Sequence, residues 1–112
     1  ANNLNADFFL SIHANAASFS AHGTEQYIPY HAGTTSRSIA QRMQNNIIAA
    51  LNTSDRGVKK ANYAVLRNAQ VPAVLTEIAF ISNSSEERKL RNENNQEEIA
   101  EALFQAIVDY FG

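Results

Sequence analysis

A chain of 112 residues is long enough for one compact domain with its own core and too short for two. Nine Lys and Arg against eleven Asp and Glu leave a formal net charge of -2, which excludes a broad field that would draw in nucleic acid or anionic lipid. With 45% hydrophobic residues but no continuous apolar run of spanning length, a transmembrane helix is excluded, and zero cysteines exclude disulfides, thiolate metal sites and a cysteine nucleophile.

The chain opens on Ala1 without a methionine, a basic segment or an apolar signal, which reads as a removed targeting segment or a start partway through something larger. The first element is DFFLSI, residues 7–12, running into His13. Phe8, Leu10 and Ile12 alternate with Phe9, Ser11 and His13, so both faces are mostly apolar. That is the pattern of a strand in a parallel sheet covered on both sides. GTEQYIPY, residues 23–30, alternates more cleanly, and Pro29 cannot donate a ladder hydrogen bond, which places this strand at an edge.

Residues 36–51 are predicted as a helix, with Ile39, Ala40, Met43, Ile47, Ala50 and Leu51 on one stripe and Arg37, Gln41, Gln44 and Asn45 away from it. SDRGVKKAN, residues 54–62, reads as an exposed turn because of Gly57 and its flanking charges, and YAVLRN, residues 63–68, as a short strand. In VPAVLTEIAFI, Val74, Thr76 and Ile78 alternate with Ala73, Leu75 and Glu77, giving a second strand buried on both faces. Ser84 and Glu87 form a capping box for a short helix in which Glu86 and Glu87 precede Arg88, Lys89 and Arg91, the order the helix dipole favours. A last helix starts near Asn95, with Glu97 and Glu98 in its first turn, and carries Ile99, Ala100, Leu103, Ile107 and Phe111 to Gly112. The order of elements is that of an α/β fold, a mixed, mostly parallel sheet with helices on both faces, in a single domain over residues 1–112. None of the four glycines lies in a GxGxxG or GxxxxGK arrangement, which argues against nucleotide binding.

Each of the two most apolar strands carries one ionisable group toward its C-terminal end, His13 on the first and Glu77 on the second. Ligands of open α/β sheets gather at the carboxyl ends of the strands, so parallel neighbours would deliver both side chains to one crevice. A carboxylate among Val74, Leu75, Ile78 and Phe80 is costly to ionise unless a cation, a metal or several donors meet it. The structural alternative is a hydrogen-bonded histidine at a strand end and a glutamate paired with a neighbouring Arg or Lys.

ADFFLSIHANA resembles the Ser-Ile/Leu-His-Ala-Asn-Ala motif of the zinc-dependent N-acetylmuramoyl-L-alanine amidases, the Amidase_3 class of peptidoglycan hydrolases. VPAVLTEIAFISN resembles the later motif of the same family, in which an apolar strand presents a Glu followed by Phe, a small segment and Asn. GTEQYIPY, DRGVKKANYAVLRN and the closing helix fall in the family's order, so the resemblance covers nearly the whole chain. It implies Zn²⁺ as cofactor, His13 as a zinc ligand and Glu77 as the catalytic carboxylate that takes a proton from water and returns it to the departing alanine nitrogen. The implied substrate is the amide joining the lactyl group of N-acetylmuramic acid to the first L-alanine of the stem peptide. A monomer acting on peptidoglycan in the cell wall, the extracellular space or the periplasm is expected, with no nucleic-acid partner.

The family draws two further zinc ligands, a His and a Glu, from motifs upstream of the His13 strand that this sequence does not contain. Residues 1–5, ANNLN, resemble the tail of the helix preceding that strand. The chain is therefore expected to be an amidase catalytic domain lacking the N-terminal part of the full fold; the alternative is a non-catalytic wall-binding or regulatory remnant that has lost its metal site. His22 and His31 read as surface or loop histidines and Glu25 as an edge-strand charge. Arg56, Lys59, Lys60 and Arg67 suit either contact with the acidic stem peptide or a solvated basic loop. Asn15 and Asn83 suit substrate carbonyls or, more commonly, the turning of the chain at a strand end.

Overall fold

A computed structural model describes residues 7–112, and the helix tail expected at residues 1–5 lies outside the described residues. The elements follow in the order β1 (Phe9–Asn15), β2 (Thr24–Ile28), α1 (Thr34–Leu51), β3 (Asp55–Lys60), α2 (Ala64–Arg67), β4 (Ala73–Phe80), α3 (Ser84–Arg91) and α4 (Glu93–Phe111). The strands form one sheet in the order β1-β4-β2-β3. β1 runs parallel to β4 and β2 parallel to β3, while β2 and β4 are antiparallel, so the sheet is mixed and mostly parallel.

All eight residues of β4 are buried, as its nearly continuous apolar sequence, broken only by Thr76 and Glu77, requires of a strand covered on both faces. Val74 and Ile78 join Ile39, Met43 and Ile47 of α1 and Leu103 of α4 in the main core. Burying side chains of that size is worth about 1.5–3 kcal/mol each relative to leaving them in water. On the other face Ala73 and Leu75 meet Phe9, Tyr27 and Leu66 of α2 in a smaller cluster. The long helices thus cover one face and the single turn of α2 covers part of the other, which leaves room there for an open cleft.

Several local expectations are corrected. β2 is interior, not an edge: its strand ends at Ile28, so Pro29 falls just beyond the ladder where no N–H is needed. Among the described residues the edges are β1 and β3. β1 is accordingly not buried on both faces, and Ile12 is 59% exposed. Residues 55–60, expected as a turn, form edge strand β3, whose charges suit an edge and discourage further pairing. Its ladder with β2 skips a step: Thr24 pairs with Asp55 and Gln26 with Val58, so Arg56 and Gly57 together oppose Glu25 in a β-bulge.

YAVLRN is a helical turn, not a strand. Its one fully buried side chain, Leu66, needs no period-two pattern, and a short apolar run does not by itself distinguish the two states. α3 is capped by Asn83, whose side chain accepts from the N–H groups of Ser85 and Glu86, in place of the expected Ser84 box; Glu87 pairs instead with Arg91. α4 starts two residues earlier than expected, with Asn92 accepting from the Asn95 N–H.

Two glycines have positive φ, Gly57 in the bulge at 84° and Gly23 before β2 at 114°. A Cβ on Gly57 would meet nothing within 4 Å, whereas one on Gly23 would lie 2.8 Å from the Ser54 carbonyl oxygen and 2.8 Å from Arg56 Cγ. Gly57→Ala is therefore expected to cost about 1–2 kcal/mol of backbone strain alone. Gly23→Ala should cost more in parallel urea melts; equal losses would contradict the steric account.

Candidate active site

The register places three side chains in a row across one sheet face. His13 of β1 pairs with Glu77 of β4, and Glu77 pairs in turn with Glu25 of β2. Directly paired residues point to the same face, and neighbouring strands lie about 4.8 Å apart, so the row is short. A cleft of about 440 Å³ opens over it, lined by His13, Asn15, Tyr63, Val65, Leu75 and Glu77.

The His13 side chain is 50% exposed and the Glu77 side chain 11%. His13 Nδ1 lies 3.9 Å from Glu77 Oε1, beyond hydrogen-bond reach, while His13 Nε2 is 3.0 Å from Ser11 Oγ. Glu77 Oε2 is buried and has no hydrogen-bond partner. Burial pushes the Glu77 carboxyl above the ordinary carboxylate range; the adjacent His13 opposes that shift and the charge of Glu25 adds to it. The two residues singled out from sequence are thus brought together; Glu77 departs from its structural alternative, with no ion pair to an Arg or Lys among the described residues, whereas His13 does carry a hydrogen bond at its strand end.

Glu25 was misplaced by the edge-strand reading. Its side chain is only 2% exposed and is the most heavily bonded carboxylate of the row. Oε1 accepts from Lys59 Nζ at 2.6 Å and Arg56 Nε at 3.2 Å, and Oε2 accepts from Asn15 Nδ2 at 2.9 Å and the Tyr27 hydroxyl at 3.0 Å. Burial alone would raise its pKa, but the hydrogen bonds from Lys59, Tyr27 and Arg56 outweigh burial and hold it below the ordinary range. The signal available in sequence was the alternation of GTEQYIPY with Glu25 and Tyr27 two residues apart; what could not be read was which strand lay on the far side.

Of the four cations considered, Arg56 and Lys59 converge on this carboxylate. Lys60 donates to the Tyr30 carbonyl and Arg67 to Asn62, away from it. Arg56 also donates to the His22 carbonyl and lies with its guanidinium carbon 4.9 Å from the centre of the Phe80 ring. Asn15 serves Glu25, and Asn83 caps α3 and donates to the Phe19 carbonyl. His22 is an exposed loop residue, and His31 lines a different cleft at the opposite end of the sheet.

A zinc site ordinarily has three protein ligands. The described residues bring one accessible imidazole and one partnerless carboxylate oxygen to the cleft, and among them no group of three or more His, Cys, Asp or Glu is placed to hold an ion. They fit part of such a site, not the whole of one.

The comparisons with known proteins bear on the fold and the family. YqiI of Bacillus subtilis (strain 168) is 41% identical over 107 residues, covering 95% of this chain and 52% of its own length. The N-acetylmuramoyl-L-alanine amidase LytC of the same strain is 41% identical over 109 residues, covering 95% of this chain and 22% of LytC. The crystal structure of N-acetylmuramoyl-L-alanine amidase from Clostridium difficile 630 superposes with a TM-score of 0.92 at 37% identity, over 97% of this chain and 60% of that one. The chain therefore spans about half, or less, of the curated relatives it matches. The family model described as Amidase_3, N-acetylmuramoyl-L-alanine amidase, matches residues 1–109, and the chain belongs to that family.

Proposed function

We propose that the protein hydrolyses the amide between N-acetylmuramic acid and L-alanine in peptidoglycan, with zinc as cofactor, His13 as one of its ligands and Glu77 as the catalytic carboxylate. The observation that carries this reading is the half-exposed imidazole of His13 beside a buried carboxylate whose Oε2 has no partner. When bound, zinc polarises the scissile carbonyl and makes water more acidic. The His13 ring is oriented by the hydrogen bond between Nε2 and Ser11 Oγ, which leaves Nδ1 on the Glu77 side; with Nε2–H as the donor, Nδ1 keeps its lone pair. Glu77 accepts a proton from the attacking water and delivers it to the alanine nitrogen as the bond breaks. A carboxyl raised by burial suits both halves of that transfer, because it neither holds the proton too weakly to keep it nor too tightly to return it.

The remaining zinc ligands come, in this reading, from parts of the protein other than residues 7–112. The protein acts as a monomer on peptidoglycan, in the cell wall, the extracellular space or the periplasm. Among the described residues no helix is long and apolar enough to cross a membrane.

Incubating the intact protein with purified peptidoglycan should release free N-terminal alanine amines, and a chelator should stop the release until Zn²⁺ is restored. If no alanine amine appears with or without Zn²⁺, the reading fails. A protein that in addition held no zinc would be the wall-binding remnant.

A further inference from the structure

Three glutamates are buried among the described residues. Glu77 and Glu25 stand in the row, and the third, Glu86, is 5% exposed in the first turn of α3 and takes no part in the chemistry above. Both of its oxygens are used: Oε1 accepts from the Phe80 N–H at 2.8 Å and Oε2 from the Gly23 N–H at 2.8 Å. Phe80 ends the strand that carries Glu77, and Gly23 immediately precedes the strand that carries Glu25. One side chain thus ties the two strands together just past the row.

The Phe80 N–H needs such a partner because the ladder between β1 and β4 slips there. His13 pairs with Glu77 but Asn15 with Phe80, so Ile78 and Ala79 together oppose Ala14 in a second bulge. Such a step leaves backbone groups without ladder partners and re-aims the side chains beyond it. Here Ile78 and Ala79 both enter the main core, and Phe80 emerges on the face of the row, with its ring under the Arg56 guanidinium. The turn after β4 aims Glu86 and also fastens the exit of the His13 strand. Asn83 Oδ1 accepts from the Glu86 N–H, and Asn83 Nδ2 donates to the Phe19 carbonyl. The Ile81 N–H donates to the Asn15 carbonyl at 2.8 Å, and Ser82 Oγ accepts from the Ala17 N–H at 3.0 Å.

We propose that Glu86 is a positioning residue for amide hydrolysis, a role that rests on the amidase reading: by holding the Phe80 and Gly23 N–H groups on one carboxylate, it locks the bulge beside Glu77 and so fixes Glu77 against His13. It acts only through the backbone of β4 and β2. The bulge starts at the residue after Glu77, so a slip of that step displaces the Glu77 carboxyl directly, and a displacement of about 1 Å costs about 10²-fold in rate.

Glu86→Gln and Ile47→Val, a core change on the opposite face of the sheet, are compared in the intact protein with a synthetic muramyl peptide as substrate. Glutamine has one acceptor oxygen, so it keeps at most one of the two bonds and turns an NH₂ group toward the other N–H. At a temperature where melts show both variants folded, Glu86→Gln should lower kcat about 10–100-fold with KM unchanged, the pattern of misplaced reacting groups, while Ile47→Val keeps the wild-type kcat. In nuclear Overhauser spectra the contacts between the Phe80 ring and the Arg56 side chain should be lost in Glu86→Gln and kept in Ile47→Val. A folded Glu86→Gln with wild-type kcat or intact Phe80–Arg56 contacts overturns the proposal, and so does a loss of kcat that Ile47→Val shares. Should Glu86→Gln fail to fold, Asn83→Ala releases the turn that aims Glu86 without removing the carboxylate: a lower kcat at constant KM supports the proposal and an unchanged kcat overturns it. If the wild type releases no alanine, the amidase reading has failed, and the Phe80 contacts alone decide whether Glu86 holds the bulge: their loss in Glu86→Gln supports it and their persistence refutes it.

Discussion

Glu77→Gln is expected to lower the rate of alanine release by about 10²–10⁴-fold, the range for loss of a positioned general acid–base group. The amide is nearly isosteric but accepts no proton at neutral pH, so the transfer from water to the departing nitrogen is lost while the cleft keeps its shape. The melting temperature should not fall. Glu77 Oε2 has no hydrogen bond to forfeit, and removing an unpartnered buried charge takes away a cost. Rates from an amine-release assay, read beside a thermal melt of the same preparation, check both halves. A Glu77→Gln protein with near wild-type turnover would end the assignment.

Glu25→Ala is expected to be the most destabilising single change in the row of His13, Glu77 and Glu25. Four donors from three strands lose their shared acceptor: Asn15 from β1, Tyr27 from β2, and Arg56 and Lys59 from β3. Breaking a fully buried charge pair costs about 3–5 kcal/mol; with both cations partly in water a loss of about 2–3 kcal/mol is expected. The loss should depend on pH in one direction. The folded-state pKa of Glu25 lies below its ordinary value, so at acid pH the native state binds fewer protons than the unfolded chain and stability rises with pH through that window. The contribution is complete above the unfolded value of about 4.3 and disappears as pH falls through the depressed native one. Urea melts of wild type and Glu25→Ala should differ fully at pH 7, and the gap should narrow as pH falls below the unfolded value and through the depressed native one. A gap that stayed constant down to pH 3 would show that the carboxylate charge contributes nothing.

The parts of the fold that sequence made legible are those where one physical term dominates. β4 announces itself because a strand covered on both faces has little room for polar alternation, and α1 and α4 because their apolar stripes repeat at helical spacing. His13 and Glu77 were legible for the same reason: an ionisable group at the end of an apolar run is conspicuous. What stayed hidden depended on neighbours in space. Pro29 suggested an edge, but whether a proline disturbs a ladder depends on where pairing stops, and here it stops one residue earlier. Glu25 then looked like a solvent-facing charge, when it sits on an interior strand and gathers donors that lie 10 residues away on one side and more than 30 on the other. The caps of α3 and α4 moved for a more local reason, since Asn83 and Asn92 each offered an acceptor at least as good as the residues favoured from pattern.

The bulge in β3 has a consequence of parity. Residues three apart on an unbroken strand project to opposite sides of the sheet, so Arg56 and Lys59 should have been separated. One surplus residue reverses the count. Arg56 and Lys59 both turn to Glu25, while Asp55 and Val58, also three apart, both turn to the helices, Asp55 accepting from Gln44 and Val58 joining the main core. A single irregular step therefore sorts the strand into a cationic side and a core side, and the Gly57 and flanking charges that serve it are what made residues 54–62 look like a turn.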